Sequence, residues 1–437
     1  MEITAVGGYE EVGRNMTAVK IGGDTIIIDM GIRLDRVLVH EDTDITKTKK
    51  EELVRMGVIP DDSVVRGNVR AIALTHGHLD HLGAVSKFVS KYNAPLIGTP
   101  YTVELAKRGI RADGGRYTNP VYAVEEGEIL QVTPEISLEF IRATHSIPQT
   151  VILAVHSPHG TLVYANDFKF DDSPIIGEKT DYTRLKELGR EGVKCLIVET
   201  VRVSEEGRTP SEKIAQKILE DSVARSDPEK GLIVTTFSSH IARISSITNA
   251  ARIAGRTPIL LGRSMEKFVG LAENMKILEL PEDAHLYGSP ESVKKILHSI
   301  VRDGKEKYLL VVTGHQGEPD ALLTKIANKK FGYVIEKGEE VIFSADIIPN
   351  PMNVANRYVL ETKLKLQGAR LFKGAHVSGH ASREDHHDLL RMLQPENVIP
   401  CHGDLAMLSS YAELAENLGY ELNKNIRLVR NGQRVAV

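Results

Sequence analysis

The sequence predicts an α/β protein in which one layered unit is inserted into another, and three observations lead there. The first ~200 residues read as short strands and helices, and the strands repeatedly end on titratable residues. After Glu199 the texture changes to strand–loop–helix repeats, the pattern of a Rossmann-like, parallel layer covered on both faces. Near residue 380 the earlier habit returns in "GARLFKGAHVSGHA" and "ENVIPCHGD". The simplest division is a first domain in two parts, 1–205 and 376–437, with 206–375 inserted between them. At 437 residues the chain exceeds one ordinary core, as that division requires.

The elements follow in order. "MTAVKIGGDTIIID" reads as a hairpin with Gly22 and Gly23 in the turn, and it closes on Asp29. "VRAIAL" is a buried strand, and "GAVSKFVSKY" beyond it has helical spacing. "APLIGT" and "PYTVELAKR" make a strand and a helix, with Pro100 at the first helical position. "ISLEFIRATH", "TVILAVHS", "TLVYANDF" and "KCLIVET" are strands, three of which deliver His145, Asp167 and Glu199 at or past their ends. "TPSEKIAQKILEDSVARS" is an amphipathic helix that Thr209 or Ser211 can cap. Three α/β units then run through "GLIVTTFSSHIARISSITNAARIAG", "TPILLGRSMEKFVGLAENM" and "YLLVVTGHQGEPDALLTKIANK".

Composition narrows the class. With 41% hydrophobic and 26% charged residues, this is an ordinary globular chain. Its N-terminus, "MEITAVGGYE", lacks the apolar core of a secretory signal, and no apolar run is long enough to span a bilayer. The expectation is therefore a cytoplasmic protein with no membrane partner. Two cysteines, Cys195 and Cys401, imply no disulfide framework. A net charge of −4 neither advertises nor excludes a nucleic-acid partner, because metal ions and a local basic groove can hold phosphates on an acidic protein.

The chemistry is concentrated in "ALTHGHLDHLGA", a strand-to-helix turn that packs three histidines and an aspartate into six positions. His76 and His78, two apart in extended chain, project to one side. Asp80 and His81 follow on the incoming helical turn and point to a neighbouring spot. Imidazole and carboxylate are the ligands a divalent transition metal takes. A consistent set has His76, His78 and His145 on one ion, with Asp80, His81 and His402 on a second. Asp167 bridges them through its two carboxylate oxygens. Such a pair clamps the attacking and leaving oxygens of a displacement at phosphorus and generates hydroxide near neutral pH. Asp29, ending its own strand, is placed to orient a ligand histidine. Ser238, Ser239 and Arg243 follow a strand, and a helix begins beside them, so they are candidates to receive phosphate. In "HVSGH", His376, Val377, Ser378, Gly379 and His380 form a second compact candidate. His380, Glu199 and Asp80 are the candidate catalytic residues, Glu199 by holding a histidine's orientation and tautomer.

These motifs resemble a known family. "THGHLDH", "ATHS", "ANDF" and "PCHGD" are similar to the metallo-β-lactamase fold of two-metal hydrolases, an αββα sandwich. "VET", "TTFSSHIARI", "TGHQGEP", "FSADIIP" and "HVSGH" resemble the β-CASP insertion of nucleases, and "VGGYEEVGRNM" with the whole motif order is most similar to the ribonuclease J family in its short archaeal form. The resemblance covers essentially the full chain. It implies a metallo-β-lactamase domain at 1–205 and 376–437 with an inserted Rossmann-like β-CASP domain at 206–375. It also implies a two-metal ribonuclease, processive from the 5′ end, acting on single-stranded RNA as a homodimer. The cofactors would be two divalent ions, Zn2+ first, with Mn2+ or Mg2+ as alternatives. Glu199 would be the acid of the first β-CASP motif, His380 the histidine of the second, and His402 that of the third. The expectation is a chain without the KH-type module of the archaeal cleavage-and-polyadenylation-type endonucleases and without the C-terminal domain of bacterial ribonuclease J, and so without that form's mode of dimerisation. The rival readings are a β-CASP endonuclease, a DNA-directed nuclease, a small-molecule metallohydrolase and an inactive RNA-binding protein.

Overall fold

The computed structural model describes residues 1–39, 45, 47–115, 117–348 and 350–437. The chain forms two compact units. Unit one is Met1–Asp172, Glu178–Thr209 and Gly379–Val437; unit two is Ser173–Gly177 and Pro210–Ser378.

Unit one holds two sheets. The strands of the first are β1 (Glu2–Gly7), β2 (Met16–Ile21), β3 (Asp24–Ile28), β4 (Asn68–Leu74), β5 (Leu96–Gly98) and β6 (Val121–Ala123). The second comprises β7 (Ile129–Thr133), β8 (Ile136–Arg142), β9 (Val151–His156), β10 (Thr161–Ala165) and β11 (Val193–Glu199). In unit two lie β12 (Leu232–Thr235), β13 (Thr257–Leu261), β14 (His285–Tyr287), β15 (Tyr308–Val312), β16 (Glu340–Phe343) and β17 (Arg370–Phe372). The chain then returns to unit one with β18 (Asn397–Cys401) and β19 (Arg434–Ala436). The orders are β19-β1-β2-β3-β4-β5-β6, β18-β11-β10-β9-β8-β7 and, in unit two, β14-β13-β15-β12-β16-β17.

The alternation of side chains along β9 shows how unit one is layered. Val151, Leu153 and Val155 enter the core between the two sheets, with Ile26, Ile28, Ala71 and Ala73 opposite them. Ile152 and Ala154 face the other way, onto a second core with Leu185, Leu188, Leu389 and Leu393 from covering helices. A period of two thus feeds two cores from one strand, as a sheet covered on both faces requires. On the first sheet's outer face, the helix Pro100–Ala112 packs against β5 and β6. The result is an αββα sandwich. The β2–β3 hairpin turns at Gly22, whose φ of 60° is the left-handed region that glycine enters at no steric cost.

Strand direction places the polar ends together. β3 and β4 are parallel, as are β10, β11 and β18, so Asp29 and His76 end one sheet while Asp167, Glu199 and His402 end the other. Unit two is a parallel sheet throughout. Ser211 caps its first helix, Glu212–Ala224, by accepting from the Lys213 N–H. The strand in "GARLFKGAHVSGHA" ends at Phe372, short of its histidines, and pairs with β16 inside unit two, so it is not a returning strand of the first domain. Among the described residues no helix is long and apolar enough to cross a membrane.

Candidate metal centre

The centre grows from the end of β4. Ala71 to Leu74 are fully buried, and the next residues, Thr75 and His76, are equally enclosed yet polar. His78 caps the short helix Leu79–Leu82 in extended conformation, which turns Asp80 and His81 back toward His76. Three other strand ends reach the centre on left-handed backbone: Asp29 at φ 60°, Asp167 at φ 54° and His402 at φ 50°. Asp, Asn and His tolerate this region better than other side chains, and such conformations gather at functional sites. The backbone bends to aim these side chains.

Two groups result, His76–His78–His145–Asp167 and Asp80–His81–His402–Asp167, and within each the candidate ligand atoms lie within 4.8 Å of one another. Asp167 divides its oxygens between them. Its Oδ2 lies 3.4 Å from His76 Nε2 and 3.5 Å from His145 Nε2, while Oδ1 lies 3.3 Å from His81 Nε2 and 3.4 Å from His402 Nε2. Asp80 Oδ2 stands 3.7 Å from His81 Nε2 and 3.6 Å from His402 Nε2. His76 Nε2 and Asp167 Oδ1 are buried without a hydrogen-bond partner. An unsatisfied buried polar atom costs about 1–3 kcal/mol, and a divalent cation between the groups would remove that cost at both. The donor set fits divalent metal ions.

Neighbouring groups fix most of the ring orientations. His81 Nδ1–H donates to Asp29 Oδ2 at 2.8 Å, and Asp29 is itself held by the Thr75 N–H and hydroxyl. His145 Nδ1–H donates to the Gly379 carbonyl at 2.6 Å. Both rings are left with Nε2 directed at the centre, the arrangement in which metal-ligating histidines are usually held. Gly379 has to be glycine here, because a Cβ on it would fall 2.8 Å from the His145 ring. Asn15, in the loop between β1 and β2, brings its Nδ2 within 3.1 Å of His81 Nε2 and 2.9 Å of His402 Nδ1. Gly13 N–H also reaches His402 Nδ1, at 3.3 Å. The Gly13 N–H donates to His402 Nδ1, so Nδ1 accepts in this pattern, while Nε2 faces the Asp80 and Asp167 carboxylates.

The charges are strongly redistributed. Burial drives His76, His78 and His145 well below the usual imidazole range, and burial takes His402 down to about 3. These are neutral rings with lone pairs to offer. His81 goes up: burial opposes its charge, but Asp167, Asp80 and Asp29 outweigh it. Burial lifts Asp80 to about 6. Against its own burial, Asp167 is held well below the carboxylate range by His81, His402 and His380.

A third group, Asp167–Glu199–His380, adjoins the first two. His380 Nδ1–H donates to Glu199 Oε2 at 2.9 Å, and the Phe168 and Val201 N–H groups donate to the same carboxylate. Burial resists protonation of His380, yet Glu199 and Asp167 raise it to about 9.

The candidate phosphate ligands fall in two places. Gly379 and His380 belong to unit one, whereas Ser238, Ser239, Arg243, His376, Val377 and Ser378 belong to unit two. Arg243 is a correction. Its guanidinium is fully buried, pairs with both oxygens of Glu212 at 2.6 and 3.0 Å, and donates to the Ser344 and Ala375 carbonyls, so it cannot receive a phosphate. Its Nη1 also lies 3.4 Å from His376 Nδ1. Burial together with Arg243 holds His376 down to about 2, so His376 offers one neutral Nε2–H rather than a charge. The sequence reading missed Asn15 and the Gly379 carbonyl. The only available signal for either was membership of "VGGYEEVGRNM" and "HVSGH".

Comparison with known proteins places three models along the chain. Residues 9–221 match the metallo-β-lactamase superfamily, 229–361 the β-CASP domain of ribonuclease J, and 368–427 the RNA specificity domain of Zn-dependent metallo-hydrolases. The chain is 55% identical to ribonuclease J of Methanocaldococcus jannaschii, over 99% of this chain and 98% of that one. It is 50% identical to ribonuclease J of Pyrococcus abyssi, over 100% and 97%. With ribonuclease J2 of Bacillus subtilis it shares 29% identity, over 100% of this chain and 75% of the relative. Among solved structures, a protein of unknown function from Enterococcus faecalis has the same fold, with a TM-score of 0.67 at 17% identity, covering 100% of this chain and 99% of that one.

Proposed function

This chain belongs to the ribonuclease J family, β-CASP members of the metallo-β-lactamase superfamily, and from that footing we propose that it hydrolyses RNA with two divalent cations, processively from the 5′ end. It is a metal-dependent ribonuclease. One observation carries the two-ion reading: a single buried carboxylate, Asp167, turns one oxygen to each of two ligand groups. His76, His78 and His145 would complete one site, and Asp80, His81 and His402 the other. Five imidazoles and two carboxylates suit zinc first, with Mn2+ or Mg2+ as alternatives. Cations bound there supply a Lewis acid and lower the pKa of water toward neutrality.

The remaining chemistry belongs to the chain's own side chains. Asp80 stands between His81 and His402, where its carboxylate can also orient the attacking water. Glu199 holds the His380 ring by Nδ1 and keeps it protonated at neutral pH. Nε2–H of His380 is then the proton donor for the departing 3′ oxygen, a role worth about 10²–10⁴-fold. Within unit two, His376 Nε2–H, the Ser378 hydroxyl and the Val377 amide, with Ser238 and Ser239, are read as receiving the 5′ phosphate; Arg243 is excluded from that set. Single-stranded RNA is the substrate, a homodimer the working form and the cytoplasm the setting. The test uses 5′-labelled monophosphorylated RNA and a matched DNA, with and without a chelator. Labelled mononucleotide should appear first, from RNA only, and not in chelator. Internal fragments appearing first, or equal cleavage of DNA, would overturn the direction or the substrate.

A further inference from the structure

The helix Pro351–Leu366 of unit two buries Leu360 and Leu364 in the core of its unit and shows a second apolar face outward. Its buried arc carries an ion pair: Arg357 Nε lies 2.8 Å from Glu361 Oε1, and the Arg357 guanidinium sits 3.4 Å over the Phe343 ring. Its outward arc is apolar. Tyr358 is 73% exposed, Leu366 83% and Val354 51%, with Met352 and Val359 beside them. At 3.6 residues per turn these outward positions share an arc of roughly 160°, in which Thr362 and Lys365 are the only polar side chains. Ile347 and Ile348, shortly before the helix in sequence, are also exposed. A surface helix with an apolar stripe on its outward arc as well as on its buried one has a partner for the outward face.

We infer that the partner is a second copy of this chain, seated through an antiparallel pair of these helices about a two-fold axis near Tyr358 and Val359. This rests on the homodimer reading above and adds the surface. RNA is a poor occupant, since the arc offers phosphates a single cation, Lys365. Charge favours self-association in one direction. Exposed Asp346 precedes the helix, and Lys365 stands in its last turn. Antiparallel pairing brings each Lys365 toward the partner's acidic end, whereas parallel pairing would set lysine against lysine. A helix of 16 residues is about 24 Å long, and two such stripes bury on the order of 1,200 Å2, the lower end of specific interfaces. Dimerisation through it alone is accordingly concentration-dependent, in the micromolar range.

Sedimentation of the metal-loaded protein from about 1 to 100 μM tests this. The wild type should rise from the 48.2 kDa chain mass toward twice that value, while Tyr358→Glu with Val359→Glu stays monomeric at every concentration. Ile253→Glu, at an exposed apolar position of the same unit away from the stripe, should behave as wild type. Circular dichroism and metal content confirm the fold of each variant. Should the double glutamate variant misfold, Asp346→Lys and Lys365→Glu take its place: each alone should weaken the dimer several-fold, and the two combined should restore it. A dimer indifferent to all these changes would overturn the helix interface and leave the homodimer reading standing. A wild type still monomeric at 100 μM would overturn both, and would assign the stripe to another protein.

Discussion

The metal centre of unit one and the Glu212–Arg243 cluster of unit two begin from the same local pattern, a buried apolar strand followed by polar residues, and they end differently. In the centre, His76 Nε2 and Asp167 Oδ1 are buried with nothing to bond. In unit two the Arg243 guanidinium meets Glu212, Ser344 and Ala375. A site awaiting a ligand keeps polar atoms unsatisfied and meets that cost from the rest of the fold, whereas a structural cluster satisfies its own. Satisfaction, rather than residue type or position, separates the two.

Breaking the unsatisfied cluster should have the largest effect. Asp167→Ala removes the carboxylate shared by both ligand groups, so metal content should fall at both and hydrolysis should drop by at least on the order of 10³-fold. Elemental analysis alongside the rate on 5′-monophosphorylated RNA checks this. Two ions retained at full activity would end the bridging assignment.

Breaking the satisfied cluster should cost stability instead. Arg243→Ala leaves Glu212 buried beside His240 without its main partner, a loss of about 3–5 kcal/mol, read as a lower melting temperature. Glu212→Gln added to that variant should recover part of it, because the abandoned charge is gone. Folded Arg243→Ala should still carry its metals. Unchanged melting with lost discrimination between 5′ ends would return Arg243 to the phosphate ligands.

The comparison also shows what the sequence could reveal. "HGHLDH" was legible because four candidate ligands in six positions have few structural uses, and parallel strands gather the other ligands at the same edge. Arg243 misled, since an arginine near a helix start after "FSSH" looks the same whether it faces solvent or Glu212, which lies 31 residues earlier in the chain. Asn15 was invisible, as one amide in a glycine-rich loop carries no period and no spacing. The Gly379 carbonyl that orients His145 is 234 residues away from it in sequence. The outward apolar stripe of Pro351–Leu366 escaped too, because periodicity locates apolar positions and does not say which of them face solvent.

Between the two extremes stands Glu199, a buried carboxylate satisfied by His380 and two amides yet adjoining the centre. It acts by positioning. Glu199→Gln should therefore keep both metals and lower turnover about 10–100-fold. The KM for RNA should change little, since His380 would be misplaced for proton transfer rather than for binding. Metal loss in proportion to activity would move Glu199 among the ligands.

The smallest effect is expected at Glu139, which asks whether satisfied charges behave alike in both units. On β8 of unit one, its Oε2 lies 2.7 Å from His156 Nε2 and its Oε1 2.6 Å from Arg184 Nε. Burial pushes this carboxyl up, but His156 and Arg184 outweigh it and hold it at about 2. An unfolded glutamate titrates near 4.3, so the folded value is depressed. The stability is then fully present above the unfolded value and is lost as pH falls from about 4.3 through about 2. Arg184 and His156 are partly exposed, so solvent screening limits the contribution to roughly 1–3 kcal/mol. Melting temperatures of metal-stripped wild type and Glu139→Gln, followed from pH 7 to pH 2, isolate this group by difference. The gap should be widest above about pH 5 and should close toward pH 2. A gap that stays constant across the range would mean that Glu139 contributes through packing alone, and that charge satisfaction in unit one differs in kind from that around Arg243.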